Sequence, residues 1–446
     1  MKAHAWLAVV SMIVSAHTAA VSPQDACRAR AAEILAALKK SDYAAATTHF
    51  DARLRAGLSA AKLEQVWHDL LPAQFGAFDH AADATARDHD AGILVETPLK
   101  FANGWLNMRV ACDEDGEVGG LFFAPGSAPE NAPATPTGDP NLTEHPLAVD
   151  SPPGPLPGTL VLPVGDGPFP AVLLVAGSGP NDRDETIGPN KPFADVARGL
   201  AAAGIGSFRY DKRTRAHAAQ MAGVPITVDD EVTDDAVAAL LLLARQPHID
   251  SARVFVLGHS LGAYMAPRIA QRDAHVAGLI LLAAPAEFDL DVVLRQTRYL
   301  AGVQHATPEQ AEAALTPIIA ARDAIAKADP KHPPAGEFFH APASYWLSVR
   351  DYRAIAIAQA LPQPILVLQG GGDYQVTPAD DFAKWQSAFA QSTRVTLKEY
   401  PGLSHLFMPA GDPPSPADYA KPGHVDAGVI ADIARWIAAL PRGSVH

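Results

Sequence analysis

The chain has 446 residues, of which 48% are apolar, and 49 acidic against 35 basic side chains give a formal net charge of −14. That length exceeds what one compact domain usually holds, so two domains are expected, with enough apolar residues for a large core. No basic run or aromatic-interleaved basic patch is present, which argues against nucleic acid as a partner, and the negative balance disfavours anionic membranes and polyanionic substrates.

Residues 1–20 carry Lys2, an apolar stretch over 5–16 and Thr18-Ala19-Ala20 ahead of Val21-Ser22-Pro23. This reads as a secretory signal peptide cleaved near Ala20, its apolar part too short to span a bilayer. The expectation is a secreted or periplasmic protein with no membrane span in the mature chain. Cys27 and Cys112 are the two cysteines. Export permits a disulfide between them, and two separate buried thiols are the other reading. No Cys is left for catalysis in the second half, and no Cys/His spacing suggests zinc.

Residues 21–124 read as a small α+β domain, with helices over 25–40, 43–50 and 60–71 and strands over 91–97, 105–112 and 118–123. Trp67 and Trp105 are expected in its core. It shows no paired carboxylates or phosphate loop, so packing, dimerisation or substrate gating is its expected role. A linker at 125–145, rich in Pro, Gly, Ala, Asn and Thr, leads to an edge strand over 145–150.

From residue 146 to 446 short apolar strands alternate with helices, the signature of a doubly wound, mostly parallel α/β sheet. Strands are expected over 158–164, 171–176, 204–210, 253–257, 278–283, 364–370 and 394–400. Helices are expected over 193–203, 229–245, 261–271, 379–391 and 425–439. The interval 287–361 is far longer than a crossover helix needs and predicts a helical cap insertion. Its Tyr345-Trp346 pair either faces a ligand at the strand ends or packs the cap onto the body.

The chemistry centres on Gly258-His259-Ser260-Leu261-Gly262, a Gly-x-Ser-x-Gly pentapeptide between a β-branched run and a helical pattern. A sharp turn there exposes the Ser260 hydroxyl, and the flanking glycines leave room for it. A serine nucleophile needs a base, itself held by a carboxylate. Gln369-Gly370-Gly371-Gly372-Asp373 and Pro401-Gly402-Leu403-Ser404-His405 close two successive strands and supply both, in the chain order nucleophile, acid, base. Asp380 and Asp381 are the alternative acids. Oxyanion donors are expected from the backbone amides of Leu261 and, in Ala176-Gly177-Ser178-Gly179, of Ser178, with Gly179 as the fallback. The polar loop 181–191 is expected to be a solvated face and 209–213 a structural ion-pair cluster at the rim. His259 is assigned packing and no chemistry.

Gly-His-Ser-Leu-Gly, Ala-Gly-Ser-Gly-Pro-Asn-Asp-Arg-Asp, Arg-Tyr-Asp-Lys-Arg, Gly-Gly-Asp-Tyr-Gln-Val and Gly-Leu-Ser-His-Leu together resemble the secreted bacterial serine esterases of the α/β-hydrolase fold, on the dienelactone-hydrolase and acyl-peptidase side. The likeness covers about residues 146–440, and some members carry a similar small N-terminal domain. It places the family's nucleophile on Ser260, acid on Asp373, base on His405 and oxyanion amides on Leu261 and the Ser178 region. Many relatives begin the oxyanion loop with His-Gly where this chain has Ala176-Gly177, which weakens transfer of substrate class. The resemblance implies a carboxylesterase acting through an acyl-enzyme on a small-molecule ester, with no metal or organic cofactor. A serine peptidase, a thioesterase and an inactive binding protein on the same fold are the alternatives, and the oligomeric state is left open.

Overall fold

The structure, a computed structural model, describes residues 22–89, 92–102, 104–113, 116–126, 142–221, 223–339 and 341–441. The signal peptide expected at 1–20 and most of the linker at 125–145 lie outside them. The chain folds as two compact units, Met1–Ala132 and Pro133–His446.

The first unit packs helices on one antiparallel sheet. Ser22 caps the helix Pro23–Lys39 by accepting the Asp25 N–H. Strands β1 (Phe78–Ala81), β2 (Thr85–His89), β3 (Gly92–Phe101), β4 (Gly104–Cys112) and β5 (Val118–Gly126) follow, with β1 and β2 sharing one edge of β3. Leu38, Leu63, Leu99, Phe101 and Met108 fill the core between helices and sheet. Cys27 and Cys112 are joined by a disulfide that ties the first helix to β4. The helix expected over 43–50 stops at Ala46, because Phe50 instead enters the sheet through a bridge to Val118. Strands β1 and β2 were not expected: no residue of theirs with a described side chain is fully buried, and no apolar alternation marks them.

In the second unit β6 (Leu142–Val149), β7 (Leu156–Pro163), β8 (Phe169–Val175), β9 (Gly206–Tyr210), β10 (Ile249–His259) and β11 (Leu279–Leu282) precede the insertion. Within the insertion β12 (Glu337–Phe338) and β13 (Ala341–Pro342) form a two-stranded hairpin, and β14 (Ile365–Gly370) and β15 (Val395–Tyr400) complete the large sheet. Its order is β15-β14-β11-β10-β8-β9-β7-β6. All neighbours are parallel except β9–β7 and β7–β6, so this is the doubly wound sheet expected from the sequence, with the edge strand spanning Leu142–Val149.

The central strands carry unbroken apolar runs, Val254–Leu257 in β10, Leu279–Leu282 in β11 and Ile365–Leu368 in β14, because both faces are covered there. Val254, Val256, Leu279 and Leu281 join one core with the helices Asp234–Ala244 and Leu261–Arg272, while Phe255, Leu257, Ile280 and Leu282 join another beneath Pro192–Ala202 and Ala427–Ala439.

The insertion contains helices Leu290–Val303, Pro308–Lys327, Ala343–Arg350 and Ala354–Ala360. It is fastened rather than loosely hinged. Tyr264 and Tyr352 exchange hydroxyl-to-carbonyl bonds at 2.9 Å each, and Arg295 reaches buried Asp381 at 2.5 Å.

The disulfide closes a loop of 85 residues. Removing it with Cys27→Ser and Cys112→Ser should cost the first unit about 4 kcal/mol through the entropy returned to its unfolded chain. Hydrogen exchange of the amides of β3 and β4 against denaturant checks this; unchanged protection would contradict it.

Candidate active site

Strand β10 delivers its end straight into the helix Leu261–Arg272, and the residue between them, Ser260, sits at φ 53°, ψ −117°. A non-glycine residue held there is strained and persists only when its surroundings leave no alternative. Two close approaches supply that constraint. A Cβ at Gly258 would stand 2.2 Å from the Gly262 carbonyl oxygen, and one at Gly262 would stand 2.0 Å from the Val175 oxygen. Leu261 is buried at the first turn of the helix, where amides have no intrahelical acceptor.

The strand ends β14 and β15 are joined by glycine contacts of the same kind. Gly371 N–H donates to Tyr400 O and Gly372 N–H to Leu403 O, both at 2.8 Å, and a Cβ at Gly370 would meet Ser404 O at 2.4 Å. This closeness sets Asp373 against His405, with Nδ1 2.7 Å from Oδ2 and both side chains buried. Asp373 is fixed from behind: its Oδ1 accepts the Gln375 and Val376 amides at 2.8 and 3.0 Å, and Gln369 Nε2 reaches its Oδ2 at 3.2 Å. A proton on Nδ1 facing the carboxylate leaves His405 Nε2 as a base. Asp380 and Asp381 do not join this pair. Asp380 meets Thr377, and Asp381 binds Arg295 and the Ala286 amide.

Ser260 and Ser178 line one cavity of about 630 Å³ beneath the insertion, with Phe288, Val292, Tyr345 and Trp346 in its walls. Tyr345 and Trp346 therefore do both things considered for them, since they are buried packing residues that also face the cavity. Phe288 stacks on Trp346 at 6.1 Å. Among the described residues the Ser178 amide has no acceptor.

The polar loop 181–191 is not the solvated face expected of it. Glu185 is buried at φ 51°, and its Oε1 accepts the Gly177 N–H at 2.6 Å and lies 2.9 Å from His259 Nδ1. His259 Nε2 in turn lies 2.9 Å from the His405 carbonyl oxygen. Both ring nitrogens thus face acceptors, an arrangement that favours the doubly protonated, charged form of His259. Burial alone would lower its pKa, but the Glu185 carboxylate outweighs burial and raises it. Sequence reasoning assigned His259 packing only; it carries the link between the Ser178 loop and the His405 loop.

The ion pairs expected at the rim around 209–213 are present but largely buried. Arg209 holds Asp184 at 2.8 Å, Arg183 holds Asp211 at 2.9 Å and Arg213 holds Asp235 at 2.6 Å. Burial pushes the Asp184 carboxyl up, and Arg209 followed by Lys191 outweighs it to leave the group below its usual range.

A family model described as serine aminopeptidase, S33, matches residues 190–412, and one for a protein of unknown function, DUF3887, matches residues 31–121. Esterase EstD of Thermotoga maritima is 35% identical over 401 residues, covering 90% of this chain and 92% of that protein. Among solved structures, Est1E from Butyrivibrio proteoclasticus is similar over 66% of this chain and 99% of its own, at 15% identity and a TM-score of 0.42. A hyperthermophilic esterase from the archaeon Pyrobaculum calidifontis is similar over 68% and 87%, at 14% identity and a TM-score of 0.42.

The raised pKa of His259 makes stability depend on pH with a defined sign. Folding takes up a proton there, so the contribution is full below about pH 6.5, the unfolded value, and fades as pH rises through the folded one. Melting temperature against pH should therefore fall more steeply on the alkaline side in the wild type than in His259→Gln; parallel curves would contradict the charged pair.

Proposed function

The chain belongs to the α/β-hydrolase family of serine hydrolases, and we propose that it is a carboxylesterase working through an acyl-enzyme intermediate. The observation that carries this reading is the buried Asp373–His405 contact at 2.7 Å, on a strand end beside the strained Ser260 turn. Ser260 Oγ attacks the ester carbonyl while His405 Nε2 takes its proton, and Asp373 holds the imidazole in the needed tautomer and stabilises its charged form. Charge developing on the carbonyl oxygen meets the amides of Leu261 and Ser178. His405 then returns the proton to the leaving alkoxide, and water repeats the cycle on the acyl-enzyme to release the acid and restore Ser260.

The substrate is a small-molecule ester. A cavity of about 630 Å³ with aromatic and aliphatic walls suits an apolar acyl or alcohol group. A peptidase would need a charged anchor for a chain terminus, and two candidates for one, Arg183 in the loop after β8 and Arg209 at the end of β9, are each committed to a carboxylate. Export to the periplasm or medium is part of the proposal, supported by the signal-like residues 1–20 and the Cys27–Cys112 disulfide.

The reading is tested by labelling purified protein with a fluorophosphonate and measuring hydrolysis of short-chain p-nitrophenyl esters. Label should appear on the wild type and be absent from Ser260→Ala, which should lose turnover while melting normally, as should His405→Ala. Asp373→Asn should lose about 10⁴-fold in kcat by presenting the wrong tautomer. Labelling that survives in Ser260→Ala would overturn the assignment, and wild-type turnover in Asp373→Asn would place the acid elsewhere.

A further inference from the structure

The motif Arg209-Tyr210-Asp211-Lys212-Arg213 contains a buried cation that the proposed chemistry does not use. Lys212 Nζ donates to Glu231 Oε1 and to the Gly177 carbonyl oxygen, each at 2.8 Å, and the Lys212 backbone N–H donates to Asn181 O at 3.1 Å. The other Glu231 oxygen accepts the Tyr345 hydroxyl at 2.7 Å, so the network runs from the insertion through Glu231 and Lys212 to the loop after β8. Burial, followed by the nearby Glu231 charge, raises the Tyr345 pKa well above that of a free tyrosine and keeps it a donor.

What the ammonium holds is a peptide plane. Gly177 O accepts Lys212 Nζ and, at 3.1 Å, Asn181 Nδ2, while the Gly177 N–H is held by Glu185 at 2.6 Å. In a trans peptide the carbonyl of one residue and the N–H of the next point in opposite directions. The Gly177–Ser178 peptide is not among the cis bonds of the chain, so fixing its oxygen towards Lys212 turns the Ser178 N–H the other way. Gly177 passes close enough to the nucleophile turn that a Cβ on it would stand 3.2 Å from Ser260 Cβ.

We infer that Lys212 is a positioning residue for the oxyanion site: held by Glu231 and Tyr345, its ammonium pins the Gly177 carbonyl and thereby aims the Ser178 N–H at the oxygen of a Ser260-bound intermediate. A buried charge costs desolvation that an apolar residue would avoid, and here the ammonium is the shorter of the two donors on the Gly177 oxygen, at 2.8 Å against 3.1 Å from Asn181 Nδ2. The inference rests on the esterase reading above and on Ser178 as an oxyanion donor.

The test compares Lys212→Met with the double variant Lys212→Met/Glu231→Gln, which leaves no unpaired buried carboxylate and so folds even where the single variant does not. Folding is checked by thermal melting. Either folded variant should lose about ten- to a hundredfold in kcat for p-nitrophenyl acetate with KM nearly unchanged, because the donor matters only when the oxygen is charged. Affinity for phenylboronic acid, whose serine adduct carries that charge, should fall with kcat. A folded variant with wild-type kcat, or one that loses only KM, overturns the role of Lys212. If Ser260→Ala is inactive in the same assay, that failure belongs to Lys212 alone; if Ser260→Ala turns over like the wild type, the esterase reading itself has failed.

Discussion

Glu185 touches two things at once, and the site depends on the combination. One carboxylate oxygen takes the amide of Gly177 and a ring nitrogen of His259, whose other nitrogen holds the backbone of His405. An isolated carboxylate or imidazolium would be costly in so buried a place, and pairing with extra hydrogen bonds is what makes such charges tolerable. Three loops that are remote in sequence are thereby brought to one centre: the one after β8, the nucleophile turn and the one after β15. Rigid placement of this kind matters because preorganised dipoles act on a transition state without having to reorient.

The parallel sheet supplies the coarse position and glycine the fine one. Strands β8, β10, β14 and β15 run parallel, so their following loops emerge at one edge, where ligands bind in such sheets. Bringing those loops into contact then requires backbone to meet backbone. Gly262 against Val175 and Gly370 against Ser404 do this, each at a spacing that any Cβ would violate.

These backbone demands explain what could be read from the sequence. Gly258, Gly262 and the run Gly370 to Gly372 mark turns by residue type alone, and the apolar runs of the central strands reveal a sheet covered on both faces. The Asp373–His405 pair was legible from the two strand-end turns that carry it, but the buried charge pairs behind the site were not. Glu185 and His259 are 74 residues apart, and a charge run such as 182–185 looks solvated until its partners are known. Lys212 reads as part of a rim ion-pair cluster, but nothing in the sequence marks Glu231, 19 residues on, as its buried partner. Strands β1 and β2 escaped because none of their residues with a described side chain is fully buried, which leaves nothing for periodicity to detect.

Among the described residues strand β6 ends the large sheet, and none of them pairs as a strand with its outer side along its eight residues. An exposed edge of that length is a template on which a second chain could add a strand and start an aggregate. Pro146 interrupts it by withholding one donor, and the exposed Glu144 and His145 beside it place a charge and a polar ring where an incoming strand would need smooth apolar contact. The price of an open sheet is thus met in three consecutive residues that take no part in chemistry, and their replacement by β-branched apolar side chains would threaten solubility before it touched turnover.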